Sequence, residues 1–356
     1  MHFHDGKIPE GYITYTRRKV AVIGVGVLAL LVMLVISIAV GAVDIPIRSV
    51  IGTLTGMAPD PLFDRIIWNI RLPQALTAIV AGVGLAIAGA GMQSVLRNPL
   101  GSPFTLGISH AAAFGAAFSV IILGTGTMRS SGADAIAINN PHITTVFAFL
   151  FCLIATGIII GISRIRASSP EVMVLAGVAI GSLFTAGTMF LQYFASDVQL
   201  AAVVFWTFGD VARAGWNELT IMTIVVALAT LYFVMKRWDY NAIDAGDETA
   251  KGLGVNVGLE RIVGMLVASF VTAVIVAFLG IIGFVGLVCP HMVRRLIGDD
   301  HRYLIPGTCV AGALLLLVSD TAARLILAPH ILPVAILTAF MGAPIFLYLI
   351  VRGRSR

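Results

Sequence analysis

The sequence predicts an all-α protein that crosses a membrane repeatedly, in about ten helical spans. Three observations carry that reading. Hydrophobic residues make up 58% of the 356 residues, charged residues only 12%, and the mean hydropathy is +0.99. Soluble domains run to about 45–50% apolar and about 25% charged residues. The apolar residues also gather in runs close to the roughly 20 residues that carry a helix across a hydrocarbon core of about 30 Å. Finally, the net charge of +5 comes mainly from Lys and Arg in short polar breaks between those runs. Cations so placed set topology and do not form a nucleic-acid surface.

The chain opens on residues 1–16, a polar tail too long before its first apolar run for a cleaved signal peptide. His2 and His4 read as part of that tail and not as a metal site. A single transmembrane domain, residues 17–356, follows. Its spans are expected near 20–42, 72–95, 104–123, 143–162, 171–195, 217–235, 261–280, 281–297, 304–327 and 333–351. The second is rich in small residues, from Gly82 and Gly84 to Gly89, Ala90 and Gly91, which let helix backbones approach closely in lipid. It ends in Arg97-Asn98-Pro99-Leu100-Gly101-Ser102-Pro103, after which the chain crosses back. The run from Ile262 to Val288 is too long for one untilted span, and Gly280, Gly283 and Gly286 offer break points, although hydropathy alone would also merge it into one. Cys152, Cys289 and Cys309 have no paired spacing and read as packing residues.

Charge sets the orientation. With the N-terminus inside, Lys7, Arg17, Arg18, Lys19, Arg97, Arg164, Arg166, Lys236, Arg237, Lys251, Arg261, Arg294, Arg295, Arg302, Arg352, Arg354 and Arg356 fall on the inner side. Only Arg48, Arg65, Arg71, Arg129, Arg213 and Arg324 fall outside, which predicts both termini in the cytoplasm.

The loops differ in character. Residues 44–70 mix apolar and charged positions and predict a short interfacial helix with Trp68 at headgroup level. Residues 196–216 hold Trp206 and Trp216, read as interfacial anchors. Residues 124–142 are rich in Gly, Ser and Asn and read as a flexible outer connection. In the inner loop 236–260, acids precede Lys251 between Asp247 and Leu253, which suits a short helix and its dipole. Gly252 and Gly254 would end that helix.

Several stretches carry a resemblance. Arg71-Leu72-Pro73 opens the small-residue span, and Gln93 to Ser109 reads Q-x-x-x-R-N-P-L-x-x-P-x-x-L-G-I-S. Trp206-x-x-Gly209, Ala250-x-x-Leu253-Gly254-Val255, GFVGLVCPHMVR from Gly283, DTAAR from Asp320 and LPVAILTAFMGAPIFL from Leu332 follow in order. Over roughly residues 65–350 the chain resembles the membrane permease of ABC importers for iron-siderophores, haem and cobalamin, with a type II importer fold. The resemblance implies ten helices, a homodimer in the cytoplasmic (inner) membrane, two cytoplasmic ATP-binding subunits and an extracytoplasmic substrate-binding protein. ATP and Mg would sit on the ATPase, with no cofactor on this chain. It implies coupling to the ATPase through Asp247, Ala250, Lys251, Gly252, Leu253 and Gly254. It implies a path between two copies along span five, at Met173, Ala176, Gly177, Ile180 and Gly181. It implies docking of the binding protein at Arg71, Gln74 and Arg324, although snorkelling arginines would serve as headgroup anchors equally well. Gln74 departs from the pattern, which often has a second Arg there. His330-Ile331-Leu332-Pro333-Val334-Ala335 departs too, where Glu before Leu-Pro and Gly after Pro-Val are common. The cargo implied is an iron chelate or haem, with cobalamin next.

Catalytic motifs are missing. The sequence has no G-x-x-x-x-G-K-[ST], so ATP-driven work would need a partner's phosphate loop. H-E-x-x-H and C-x-x-C are absent as well. Ser109 and His110 are adjacent on a helix and cannot face each other as a hydrolase pair. His291 reads as a helix-end residue bonding backbone carbonyls. Asp320 and Arg324, at i,i+4, read as a local ion pair near the outer end of span nine. Glu171 sits at the inner end of span five. Ion- or proton-coupled transport is the rival reading, but it usually places an acid near the midplane, and this chain has none there.

Overall fold

Within a hydrocarbon layer each backbone N–H and C=O must be satisfied inside its own segment, which makes helices of the apolar runs. The computed structural model describes residues 10–41, 43–57, 60–128, 136–138, 141–165, 169–328 and 330–352. His2, His4, Lys7, Arg129, Arg166, Arg354 and Arg356 lie outside the described residues.

All ten expected spans are helical. They are α1 (Glu10–Ala39), α4 (Leu72–Val95), α5 (Ile108–Ile121), α6 (Pro141–Ile165), α7 (Pro170–Tyr193), α9 (Trp216–Met235), α12 (Val257–Leu279), α13 (Val285–Ile297), α14 (His301–Leu325) and α15 (Val334–Arg352). Helix α1 starts at Glu10, so helical structure reaches back into the expected polar tail. Two spans are short for a membrane. The 14 residues of α5 and the 13 of α13 rise only about 20 Å.

The split of the long apolar run falls where glycine allows it. Helix α12 ends at Gly280, whose φ of +81° suits a residue without Cβ, and α13 begins at Val285.

The connecting elements are more ordered than the sequence suggests. Residues 44–70 hold two helices, α2 (Ile47–Leu54) and α3 (Pro61–Ile66), where one was expected. Asp60 caps α3 by accepting from Leu62 N at 2.8 Å, and a wider turn, Ile67–Arg71, leads into α4. Trp216 Nε1 donates to the Trp68 carbonyl at 2.9 Å, tying two partly exposed tryptophans together. The second outer loop forms α8 (Asp197–Thr207), capped by Ser196 and Gln199. Trp206 is not an interfacial anchor. It is 5% exposed within the core, because α8 folds back over α5. The connection 124–142 is not simply a flexible link, since Gly126–Met128 (β1) and Ile136–Ile138 (β2) pair antiparallel. Its middle lies outside the described residues.

Helix α4 is the hub, packed by α14, α12, α13 and α9. A Cβ at Gly82 would overlap the Gly312 carbonyl of α14, and one at Gly89 the Gly286 carbonyl of α13. The small-residue stripe therefore works as close-packing surface on two sides. Cys152 and Cys289 are buried and Cys309 is partly buried, all as free thiols.

Candidate functional site

At one end of the bundle the residues singled out by resemblance meet in one polar cluster. The α1 C-terminus leaves carbonyls without intrahelical partners. Arg71 Nη1 donates to the carbonyls of Ile38 at 2.6 Å and Ala39 at 2.7 Å, and its Nη2 donates to that of Val43. Arg324 Nη2 donates to the Ser37 carbonyl at 3.2 Å and to Ser37 Oγ at 2.7 Å. Arg324 also pairs with Asp320 at 3.2 Å, as the i,i+4 spacing predicts. Gln74 Nε2 completes the cluster by donating to Asp320 Oδ1 at 2.9 Å. Arg71, Gln74 and Asp320 are 6%, 7% and 3% exposed. In the single chain these groups face α1 and one another.

At the opposite end the loop 236–260 folds into α10 (Arg237–Asp244) and α11 (Asp247–Gly252). Helix α11 is held from behind. Ala250 is fully buried, and Asp247 Oδ1 accepts from Arg261 Nη2 at 2.8 Å and pairs with Arg97 Nη1 at 3.5 Å. Its far end is free of packing. Leu253 is 70% exposed, a Cβ on Gly252 or Gly254 would meet nothing within 4 Å, and Lys251 pairs with exposed Glu248. Gly254, at φ +84°, turns the chain toward α12. An apolar side chain thus stands at the tip of a rigidly rooted, charged segment.

Helix α10 is rooted by a network that the sequence did not reveal. Asp244 Oδ2 faces Ser94 Oγ at 3.2 Å, Arg294 Nη1 at 3.3 Å and His301 Nε2 at 3.0 Å. Burial alone would raise the Asp244 carboxyl, but His301 and Arg294 outweigh it and hold it below the usual carboxylate range. Asn241 bridges α10 to the start of α14, accepting from His301 N and donating to Asp300. The hydrogen bonds that Lys236 Nζ donates to Glu260 and then to Asp239 raise its ammonium above the ordinary range. The partners come from four separated segments, so no local spacing signals the network. The one trace in the sequence is Arg294, which closes the resembling stretch GFVGLVCPHMVR.

Helix α7 buries Met173, Ala176, Gly177, Ile180 and Gly181 against its neighbours. Gly177 and Gly181 meet Leu106 and Gly107 at the start of α5, the close approach expected of a small-xxx-small pair. The other face carries Leu175, Val178, Leu183 and Met189, all exposed. Three of the five expected path side chains, Met173, Ala176 and Ile180, point inward, while both glycines border a cavity open on the outer side of α7. Glu171 is exposed and accepts from Ser169 Oγ. His291 does not bond helix-end carbonyls. Its ring nitrogens have no hydrogen-bond partner among the described residues, and the ring lies edge-on to Phe346.

Comparison with known proteins agrees with this architecture. The chain is 53% identical, over 98% of its length and 99% of the relative's, to MJ0087 of Methanocaldococcus jannaschii, itself only provisionally named an ABC transporter permease. It is 37% identical to the hemin transport system permease HmuU of Yersinia pestis, covering 92% of this chain and 95% of HmuU. It is 34% identical to the Fe(3+)-citrate import system permease YfmE of Bacillus subtilis, covering 95% and 97%. A solved inward-facing transporter, described as of metal-chelate type, superposes with a TM-score of 0.80 at 28% identity, over 93% of this chain and 99% of that one. The profile of the FecCD transport family matches residues 29–352, and the chain belongs to that family of ABC transporter permeases.

Proposed function

We propose that this chain is the permease subunit of an ATP-driven importer that carries a metal chelate, with haem or a ferric chelate first and cobalamin next, into the cytoplasm. The carrying observation is α11: a helix anchored by buried Ala250 and by Asp247, presenting exposed Leu253 on the side that holds the cationic loops. An exposed apolar tip beside charged groups suits the groove of a soluble ATPase subunit. Relatives named for hemin and ferric citrate support the cargo class. Two copies would pair across the exposed side of α7, with the path running past Val178 and Met189, bordered by Gly177 and Gly181. Met173, Ala176 and Ile180 then support that wall from behind. Arg71, Gln74 and Arg324 would shape the outer rim where a substrate-binding protein lands. Both termini are assigned to the cytoplasm.

Ion-coupled transport fits less well. The deeply buried carboxylate Asp320 lies at the outer end and is already held by Arg324 and Gln74. The test is uptake into proteoliposomes containing this chain, its ATPase and its binding protein. ATP-dependent accumulation of hemin or ferric citrate is expected. Accumulation driven by an ion gradient without ATP would overturn the reading.

A further inference from the structure

Helices α6 and α9 both pack on α12, and between them they leave an apolar groove of about 530 Å³. Leu153 and Gly157 of α6, Leu228 and Tyr232 of α9, and Leu266 and Phe270 of α12 line it. No lining residue belongs to α7 or α15, so the groove is separate from the exposed side of α7. Its hydroxyl groups are already occupied. Thr156 Oγ1 donates to the Cys152 carbonyl at 2.9 Å, and the Tyr232 hydroxyl donates to Glu260 Oε2 at 3.4 Å. The wall therefore offers a ligand hydrocarbon contact only. Gly157 keeps it open, since a Cβ there would meet nothing within 4 Å, and the same holds at Gly161 one turn on.

The groove runs toward the end of the bundle that carries α10 and α11. Arg164 follows Gly157 by seven residues, which returns it to the same face of α6. It is exposed and has no ion pair or hydrogen bond among the described residues. The charges at the neighbouring end of α9 cancel. Lys236 donates to Glu260 at 2.6 Å and to Asp239 at 3.0 Å, and Arg237 is the second cation beside those two acids. Arg164 then supplies the net positive charge at the mouth.

We propose that this groove binds an anionic membrane lipid, with one acyl chain lying along Gly157 and Phe270 and the phosphate held by Arg164. The depth, the chemistry of the wall and the charge at its end agree on that occupant. The groove lies between membrane-spanning helices, where the surrounding solvent is itself lipid chain. Tyr232 stands at its polar end, the level at which tyrosine meets headgroups. A basic side chain beside that level draws anionic headgroups, by about fivefold in affinity for each cation. The consequence for transport rests on the importer reading. Helix α9 runs directly into α10 and α11, so a lipid that braces α9 against α6 steadies the helix behind the coupling segment.

The test is native mass spectrometry of the chain assembled with its ATPase, released from nanodiscs of equal parts phosphatidylcholine and phosphatidylglycerol. Wild type is expected to retain phosphatidylglycerol in preference. Arg164→Gln should lower that preference about fivefold, and Arg164→Lys should keep it. Gly157→Trp fills the groove and should lose the retained lipid, whereas Gly24→Trp, on the exposed face of α1, should match wild type. Melting temperatures in phosphatidylcholine alone should be equal for all of them, because neither glycine has a neighbour to displace. The same preference in wild type and Arg164→Gln overturns the proposal. Unchanged retention in Gly157→Trp also overturns it, since lipid then covers this face as it covers any other. A Gly157→Trp complex lighter by one copy of the chain overturns it too, assigning the groove to a second copy. ATP hydrolysis is read on the same samples. It should be faster with phosphatidylglycerol for wild type and independent of headgroup for Arg164→Gln, and an equal response in both overturns the bracing role. No ATP hydrolysis in any sample, with the retention pattern intact, would fail the importer reading and leave the lipid site standing.

Discussion

Gln74 Nε2 donates to Asp320 Oδ1 at 2.9 Å across 246 residues of sequence, at a point where both side chains are buried. Here a neutral donor satisfies a carboxylate that Arg324 already neutralises. Gln74→Leu leaves one carboxylate oxygen without that donor and should cost about 1.5–3 kcal/mol. Arg324→Ala strips the buried acid of its cation and should cost more, about 3–5 kcal/mol. Thermal unfolding in detergent should rank wild type, Gln74→Leu and Arg324→Ala in that order. Equal melting temperatures would mean that the cluster adds no stability.

The same geometry separates two roles for Arg71. As a cap on the α1 carbonyls it stabilises the chain at any ionic strength, because buried groups are little screened. As a docking group it would contribute an attraction that weakens with salt. Arg71→Ala should therefore lower the melting temperature at both low and high salt. Loss of affinity for the binding protein confined to low salt would add the docking role, and unchanged affinity at every salt concentration would leave only the cap.

At the inner face, Leu253 and Ala250 lie three residues apart and should behave differently. Leu253→Asp removes little contact within the chain, because the residue is 70% exposed. It should leave stability within about 0.5 kcal/mol of wild type while the ATPase no longer copurifies. Ala250→Asp places a carboxylate where there is no solvent and should unfold α11 and its surroundings. Copurification of the ATPase with Leu253→Asp at wild-type yield would remove α11 from the coupling role.

The Asp300 carboxyl is held at about 2, below its ordinary 3.8. Burial opposes this shift, but hydrogen bonds from Arg302 and Asn241 outweigh it. A depressed pKa means that the folded chain holds this proton less tightly than the unfolded chain does. Its stabilisation is thus complete above the ordinary value and is lost as pH falls from about 4 to about 2. Asp300→Asn should flatten that part of the stability profile while wild type declines. Parallel profiles over this window would show that the shift is absent.

Two glycines offer a control on helix packing. Gly82 faces the Gly312 carbonyl without room for a Cβ, whereas a Cβ at Gly24 of α1 would meet nothing within 4 Å. Gly82→Val should destabilise by at least the roughly 1–3 kcal/mol of ordinary overpacking, and Gly24→Val should not. Comparable yields and melting temperatures for both variants would contradict the α4–α14 contact.

Hydropathy and spacing determined the membrane class, the apolar spans, the Asp320–Arg324 pair and the short helix after Asp247, while the count of ten rested partly on the resemblance. Each of these depends on neighbours within a few turns of one helix. The break near Gly280 was legible for a similar reason, because a glycine inside an overlong apolar run is a local event. Tertiary structure decided what the polar residues do. Trp206 looks like an interfacial anchor until α8 folds over α5. Arg71, Gln74 and Arg324 stand at span ends in the sequence, but only the approach of α1, α4 and α14 joins them into one cluster. Asp244 gathers Ser94, Arg294 and His301 from three other helices, and no periodicity records such a meeting. A buried polar group needs partners, and in a bundle those partners come from helices distant in sequence.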